Sequence, residues 1–455
     1  MNKTDTVLDR EGAEAVLDLL IAGARKAGAT DADALAIRSE AVSASVRLGA
    51  LEDIERAEST AIGLRVFVGH RQATLSSSDL DKESLSALAC RAVEMAKVAP
   101  EDPHAGLADP ARLGIAPDAD RLDLADGTAL LEDDLRRLAL AAEDSARAVP
   151  GVTNSGGAGA GRTRHRLSLR SSNGFAGSYE STNFSLSVTV LAGASDAMER
   201  DYAYSTARHY GDLQPPEALG REAGERAVRR VGARRIATGK MPVLFEPRVA
   251  NSLVGHFAQA VNGIAIARGT SFLAAFRGKA VFAPGIAIWD DPTRRRGLKS
   301  RPFDAEGVMS APLALVEDGI LENWLLDSAS ARRLGLETTG SATRGLASPP
   351  APASSNLWIA AGEASPESMI ADIGRGLYVT ELIGMGVNPV TGDYSRGASG
   401  YLIENGRLGA PVSEVTVAGN LIDMFRTLIP ASDLEFRYGT NAPTLLVPDM
   451  MVAGD

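Results

Sequence analysis

Asn173-Gly174 stands between two stretches of apolar/polar alternation, residues 163–171 and 182–192, and this arrangement commits the chain to an antiparallel sheet. Side chains two residues apart share a face of a strand, and Asn-Gly accepts the positive φ angles of a tight type I′ turn. Earlier in the chain, Val42, Ala44, Val46 and Leu48 alternate with polar residues, as do Ile62, Leu64, Val66 and Val68. Asn405-Gly406 separates two further strands, 401–403 and 412–417, and Glu317-Asp318-Gly319 marks another turn. Short strands are also expected at 287–290, 313–316, 323–326 and 356–359.

Helical spacing interrupts this pattern. The spacing predicts a helix over 10–27, capped by Asp9 and burying Val16, Leu17, Leu20 and Ile21, and others over 82–98, 128–149, 217–231, 328–334 and 421–428. Cys90, within the second, reads as a buried structural thiol. Residues 156–161 (Gly-Gly-Ala-Gly-Ala-Gly) lack the Lys-Ser/Thr of a phosphate loop and read as a flexible connection. Residues 341–355 read as an exposed, mobile loop. With 455 residues, two cores are expected. The fold class is α+β: an N-terminal α/β sandwich-like domain, residues 1–235, then a mostly β C-terminal domain, residues 236–455, forming a curved sheet or open barrel with an inserted helix.

Charge and hydropathy limit the functional classes. The net charge of −11 disfavours a phosphate backbone as partner, so no nucleic acid is expected, and the arginines of 221–235 read as a solvated helix face. No stretch approaches the ~20 apolar residues of a membrane span. The single cysteine excludes an intramolecular disulfide framework, and the N-terminus lacks a secretory pattern, so a cytoplasmic protein is expected.

The inserted helix carries the chemical argument. Pro247 suits its first turn, Asn262-Gly263 reads as a left-handed stop, and Val249, Leu253, Phe257, Ala260 and Val261 form its apolar stripe beside a polar edge of Ser252, His256 and Gln259. A hydrolytic zinc helix places two His and a Glu base on one face. Here Asn251, Ser252 and His256 provide only one imidazole. The remaining histidines, His70, His104, His165 and His209, form no local ligand pair, and Cys90 is far in sequence from the C-terminal segment 439–444.

Several runs carry a family resemblance: Gly239-Lys-Met-Pro-Val-Leu-Phe-Glu-Pro-Arg-Val-Ala-Asn-Ser252, Arg268-Gly-Thr-Ser271, Arg301-Pro-Phe-Asp-Ala-Glu-Gly307, Asn388-Pro-Val-Thr-Gly-Asp-Tyr-Ser-Arg-Gly397 and Tyr401-Leu-Ile-Glu-Asn-Gly406, with Asp201-Tyr-Ala-Tyr-Ser-Thr-Ala-Arg208 as a further signature. Across essentially its whole length the chain resembles the TldD/PmbA family, in its PmbA (TldE) branch. In the TldD branch a His-Glu-x-x-x-His helix and a C-terminal Cys hold zinc. The resemblance implies that this chain carries no metal of its own, with Asn251 at the first ligand's position and Ser252 at the base's. It implies a non-catalytic subunit of a zinc metallopeptidase, paired as a heterodimer with a TldD-like chain that supplies zinc, and acting on unfolded peptides. A homodimer stays open for the chain made alone, because a surface built to pair with a related fold can pair with itself. Three alternatives stay open: a modulator of DNA gyrase acting through protein contact, a stand-alone metallopeptidase with unconventional ligands, and a scaffold without a partner.

A second candidate site is the cluster 384–400. Gly384, Gly386, Gly392 and Gly397 permit close backbone approach, and Asn388, Thr391, Asp393, Tyr394 and Ser395 supply hydrogen-bonding groups. Either an extended peptide adds there as a strand, or the glycines serve turns of a twisted sheet.

Overall fold

The computed structural model describes residues 10–195 and 198–454, so Asp9 lies outside the described residues. The N-terminal half runs α1 (Arg10–Ala27), β1 (Asp31–Arg47), β2 (Ala50–Val68), β3 (Arg71–Ser77), α2 (Lys82–Val98), α3 (Glu132–Arg147), β4 (Val152–Ser171), β5 (Ala176–Ala192), β6 (Glu199–Ala207) and α4 (Pro216–Arg230). Its strands form one antiparallel sheet in the order β3-β2-β1-β4-β5-β6. One face is covered by two helix pairs. Leu17, Leu20 and Val93 of α1 and α2 pack on Leu64 and Val66, while Leu135, Ala139 and Ala223 of α3 and α4 pack on Leu186 and Val188. A Cβ on Gly220 would lie 2.1 Å from the Ala142 carbonyl oxygen, so only glycine permits the α3–α4 crossing.

The strands are longer than their alternating cores suggested. Residues 156–161 lie inside β4, paired on one side with β1 and on the other with β5, not in a flexible connection. Gly157 marks a register shift, with φ +102° and room for no more than hydrogen beside the Val46 carbonyl oxygen. The Asn173-Gly174 connection also differs from a two-residue I′ turn. Only Gly174 has positive φ, and Ser171 N–H reaches the Phe175 carbonyl across a longer loop. Paired positive φ angles occur instead at Leu48-Gly49, Asp318-Gly319 and Asn405-Gly406. Cys90 is exposed on α2, because its side of the helix turns away from the sheet.

The C-terminal half runs β7 (Gly239–Phe245), α5 (Pro247–Ala260), α6 (Gly263–Ala267), β8 (Ile288–Asp290), β9 (Leu313–Glu317), β10 (Ile320–Leu321), α7 (Ser328–Leu334), β11 (Ala342–Thr343), β12 (Ala351–Pro352), β13 (Leu357–Ile359), α8 (Pro366–Ala371), β14 (Arg375–Ile383), β15 (Asp393–Glu404), β16 (Arg407–Asn420), α9 (Leu421–Thr427), β17 (Ile429–Pro430), β18 (Thr440–Asn441) and β19 (Leu445–Ala453). The mostly β C-terminal half is a curved sheet, as expected, and its strands β16-β15-β14-β7-β19 curl far enough to close into a barrel through β16–β19 pairing. A second sheet, β10-β9-β8-β13-β18, faces it, and α5 is buried in their shared core through Leu253, Val254 and Phe257. Phe257, Phe282 and Phe425 stack there with centroid separations of 5.4 Å and 4.7 Å. Residues 323–326 are not a strand; Leu325 makes an isolated bridge to Asn262.

The two halves meet over the uncovered face of the N-terminal sheet, where Leu35, Leu169 and Phe175 receive Phe303. Residues 341–355, expected to be exposed and mobile, are pinned at this junction. Ser341, Ala342 and Ser355 are buried, and the Leu346 carbonyl lies over Gly63, where a Cβ would approach within 2.3 Å. Arg344 crosses to Asp33, which also pairs with Arg65, and Arg65 lies 3.9 Å from Glu306. The buried ion cluster therefore joins residues of both halves.

Candidate functional site

The α5 helix fixes the first candidate site. Pro247 occupies its first turn, as expected, but the helix ends at Ala260 without a left-handed stop. Asn262 instead caps α6, accepting from Ile264 N–H at 3.0 Å, and Gly263 begins that helix because a Cβ would strike the Leu326 side chain at 2.6 Å. Asn251 and Ser252 are half-buried, and the Ser252 hydroxyl donates to the Val249 carbonyl at 2.6 Å, within its own helix. Ser252 is thus spent on the backbone.

His256 lies one turn further on. Both ring nitrogens are buried without a hydrogen-bond partner, and the ring meets Tyr394 edge-on with centroids 6.1 Å apart. Burial, then the nearby Arg396, pushes its imidazole below the ordinary value, so the ring is neutral at pH 7. Among the described residues no three His, Cys, Asp or Glu side chains are grouped to hold a metal ion. One imidazole beside a phenol and a guanidinium does not fit a zinc centre, which takes three protein ligands.

The cluster 384–400 forms the β14–β15 turn and the start of β15. Asn388 Oδ1 accepts from Val390 N–H at 2.9 Å, Thr391 donates to Asp393 at 2.6 Å, and Ser395 N–H reaches the Gly386 carbonyl at 2.7 Å. Gly386 has room for no side chain, since a Cβ would sit 1.8 Å from the Ser395 carbonyl oxygen. Gly392 has φ +81°, Gly384 has φ +83°, and Gly397 pairs with β14 and β16. The polar groups around this turn largely satisfy one another, while Ile383, Met385 and Val390 are exposed at its tip. Between the two candidate sites, Tyr394 and His256 make the contact.

A third region is a groove between β6 and the C-terminal half. Three clefts of about 560, 260 and 320 Å³ share Arg437, Tyr438, Asn441 and Arg248 in turn and so run on from one another. β6 is an edge strand, paired only with β5. Along it Tyr202 stacks near Tyr204 at 6.2 Å, and Tyr204 meets Tyr438 at 5.2 Å. Arg294 covers the Phe436 ring at 3.3 Å.

The Asp201–Arg208 signature explains how this edge is held. Burial opposes the charge on Asp201, yet hydrogen bonds from Arg248 at 2.8 and 3.2 Å, with Arg230 at 3.5 Å, outweigh it and keep the carboxyl below its usual range. Arg208 donates to the carbonyls of Thr182, Gly297 and Leu298, fastening the end of β6 to the C-terminal half. Arg230, read from sequence as part of a solvated face, is buried and neutralised by Glu199, Asp201 and Glu381. The acidic partners are distant in sequence, which is why the helix alone suggested solvent.

Comparison with known proteins places this architecture. Three domains match in chain order: PmbA/TldA metallopeptidase domain 1 over residues 32–96, the central domain over 125–231 and the C-terminal domain over 238–454. The metalloprotease PmbA of Escherichia coli O157:H7 is 38% identical over 94% of this chain and 93% of its own. The chain belongs to the PmbA/TldD family. A PmbA homologue of Haemophilus influenzae is 34% identical over 95% of this chain and 94% of its own. Among solved structures, a proposed modulator of DNA gyrase from Bacteroides thetaiotaomicron superposes with a TM-score of 0.90 at 26% identity, covering 98% of this chain and all of its own. TldE of Thermococcus kodakarensis shares the fold, with a TM-score of 0.85 at 20% identity over 96% of this chain and all of its own.

Proposed function

We propose that this PmbA/TldD-family chain is the substrate-handling subunit of a two-chain zinc peptidase. The observation that supports this most directly is α5, where a neutral His256 faces Tyr394 and Arg396 and Ser252 is bonded to its own helix. That helix lacks a base and a ligand set, so the peptide-bond chemistry belongs to a TldD-type partner carrying the metal. This chain holds an unfolded peptide extended along the groove beside β6. Beyond Tyr202, whose N–H is taken by Asp201 at 2.8 Å and whose carbonyl meets Arg248 at 3.5 Å, the strand edge supplies sequence-tolerant main-chain hydrogen bonds, and Tyr202, Tyr204 and Tyr438 supply apolar contact. The exposed tip of the β14–β15 turn is the surface offered to the partner. Co-expression with the TldD-type chain of the same source is expected to give a 1:1 complex with peptidase activity. Two separate peaks on a sizing column would reject the pairing.

PmbA relatives bear the name metalloprotease, and a stand-alone enzyme is tested directly by metal analysis. Chelator-free protein purified alone is expected to hold well under one zinc per chain, and stoichiometric zinc lost on His256→Ala would reverse the assignment. A pull-down with gyrase subunits tests the modulator reading carried by the Bacteroides relative.

A further inference from the structure

We infer that Arg396, set beside Tyr394 and His256, is the receptor for a carboxylate in the groove beside α5. Tyr394 is 1% exposed, and the Arg396 side chain is the hydrogen-bonding neighbour of its hydroxyl. Both ring nitrogens of His256 and Nε of Arg396 are buried without a hydrogen-bond partner among the described residues. Buried polar groups are nearly always paired, so unmatched nitrogens on adjoining residues mark a place where something else binds.

Charge identifies the ligand class. Arg230 and Arg248 border the same cleft, and each is matched by carboxylates, Glu381 at 2.6 Å for the first and Asp201 at 2.8 Å for the second. Arg396 has no acidic partner among the described residues; it donates to the Leu382 carbonyl at 3.4 Å and lies beside the Tyr394 hydroxyl. Water can satisfy a phenol or an imidazole, but a half-buried guanidinium is best matched by an anion. Its planar edge fits the two oxygens of a carboxylate, and the Tyr394 hydroxyl beside it helps to hold the guanidinium in place. Arg396 lines the cleft together with Ser252. Val249 and Leu382 give the cleft apolar walls, and its volume of about 320 Å³ suits one or two residues of a chain end.

The ligand is the carboxylate of a peptide, at its C-terminus or on an acidic side chain, and that identity rests on the peptide-groove reading. A terminal carboxylate bound here would set the direction of the extended peptide.

The test follows the Arg396 Nε–H resonance of the full chain during titration with N-acetyl-alanine, N-acetyl-alanine amide and N-acetyl-aspartate α-amide. The first and third are expected to shift it and the second to leave it in place. The stronger of the two acids identifies terminal or side-chain recognition. Arg396→Gln is expected to weaken acid binding about 10-fold or more and Tyr394→Phe about 3-fold, in keeping with a charge-assisted bond and a neutral one. Equal response to acid and amide, or no response to either acid, overturns the carboxylate site even if long peptides still bind the groove. Acid binding retained while long peptides fail to bind overturns the groove reading alone.

Discussion

Glu306 is a buried carboxyl whose neighbours set the pH response of the junction. Burial pushes it up from its ordinary 4.5 to about 7, with Asp304 and Asp327 adding to the rise and Arg65 opposing it. A folded-state pKa above the ordinary value favours the protonated form in the fold. The stabilising contribution is therefore complete below about pH 4.5 and is lost as pH rises through about 7. The Ser328 N–H bond at 2.7 Å can be kept by an amide oxygen. Glu306→Gln is expected to raise the urea midpoint at pH 8 relative to pH 5.5, by an effect on the order of 2 kcal/mol. Unchanged pH dependence of the two midpoints would count against it. At Gly386 the argument is steric. A methyl group there needs the backbone of Ser395 to move, so Gly386→Ala is expected to cost about 2 kcal/mol or more, visible as a lower melting temperature.

Among the elements, β6 carries the clearest consequence for function. Its tyrosines face a groove, and truncating Tyr204 removes the centre of a three-ring row. Tyr204→Ala is expected to weaken binding of a labelled unfolded peptide about 10-fold by anisotropy, with little change in melting temperature. Wild-type affinity in that variant would place the peptide elsewhere. The same strand shows what a single sequence can disclose. Local signals were sufficient for α1, α2 and the Asn405-Gly406 hairpin, because helix spacing, apolar alternation and turn chemistry all act within a few residues. The Pro247 helix and its reduced set of polar residues were legible for the same reason. Pairing was not. The glycine run 156–161 hides a strand because Gly157 serves the close approach of β1, which is more than 100 residues away. Asp201, Arg230 and Arg248 came from segments separated by up to 47 residues, and the groove exists only after they meet. Tyr394 was named for a turn, whereas its contact with His256 required the fold.

At the scale of the molecule, the buried ions Asp33, Arg65 and Arg344, with the carboxyl of Glu306 beside them, tie the N-terminal sheet to the C-terminal half. Burial opposes the charge on Asp33, but Arg344 and Arg65 outweigh it and keep its carboxyl below the usual range. Arg344→Ala removes one of the two cations flanking a buried acid and is expected to cost about 3–5 kcal/mol, measured by denaturant unfolding. A loss below about 1 kcal/mol would mean that the junction is carried by Phe303 and its apolar neighbours instead. The closed barrel has a different consequence. Val452 pairs with Gly239 across adjacent strands, so the polypeptide enters and leaves the ring at one point. In the C-terminal half taken without residues 1–238, joining those positions and cutting at the Asn405-Gly406 turn would reorder the genetic sequence while preserving every rung of the ring.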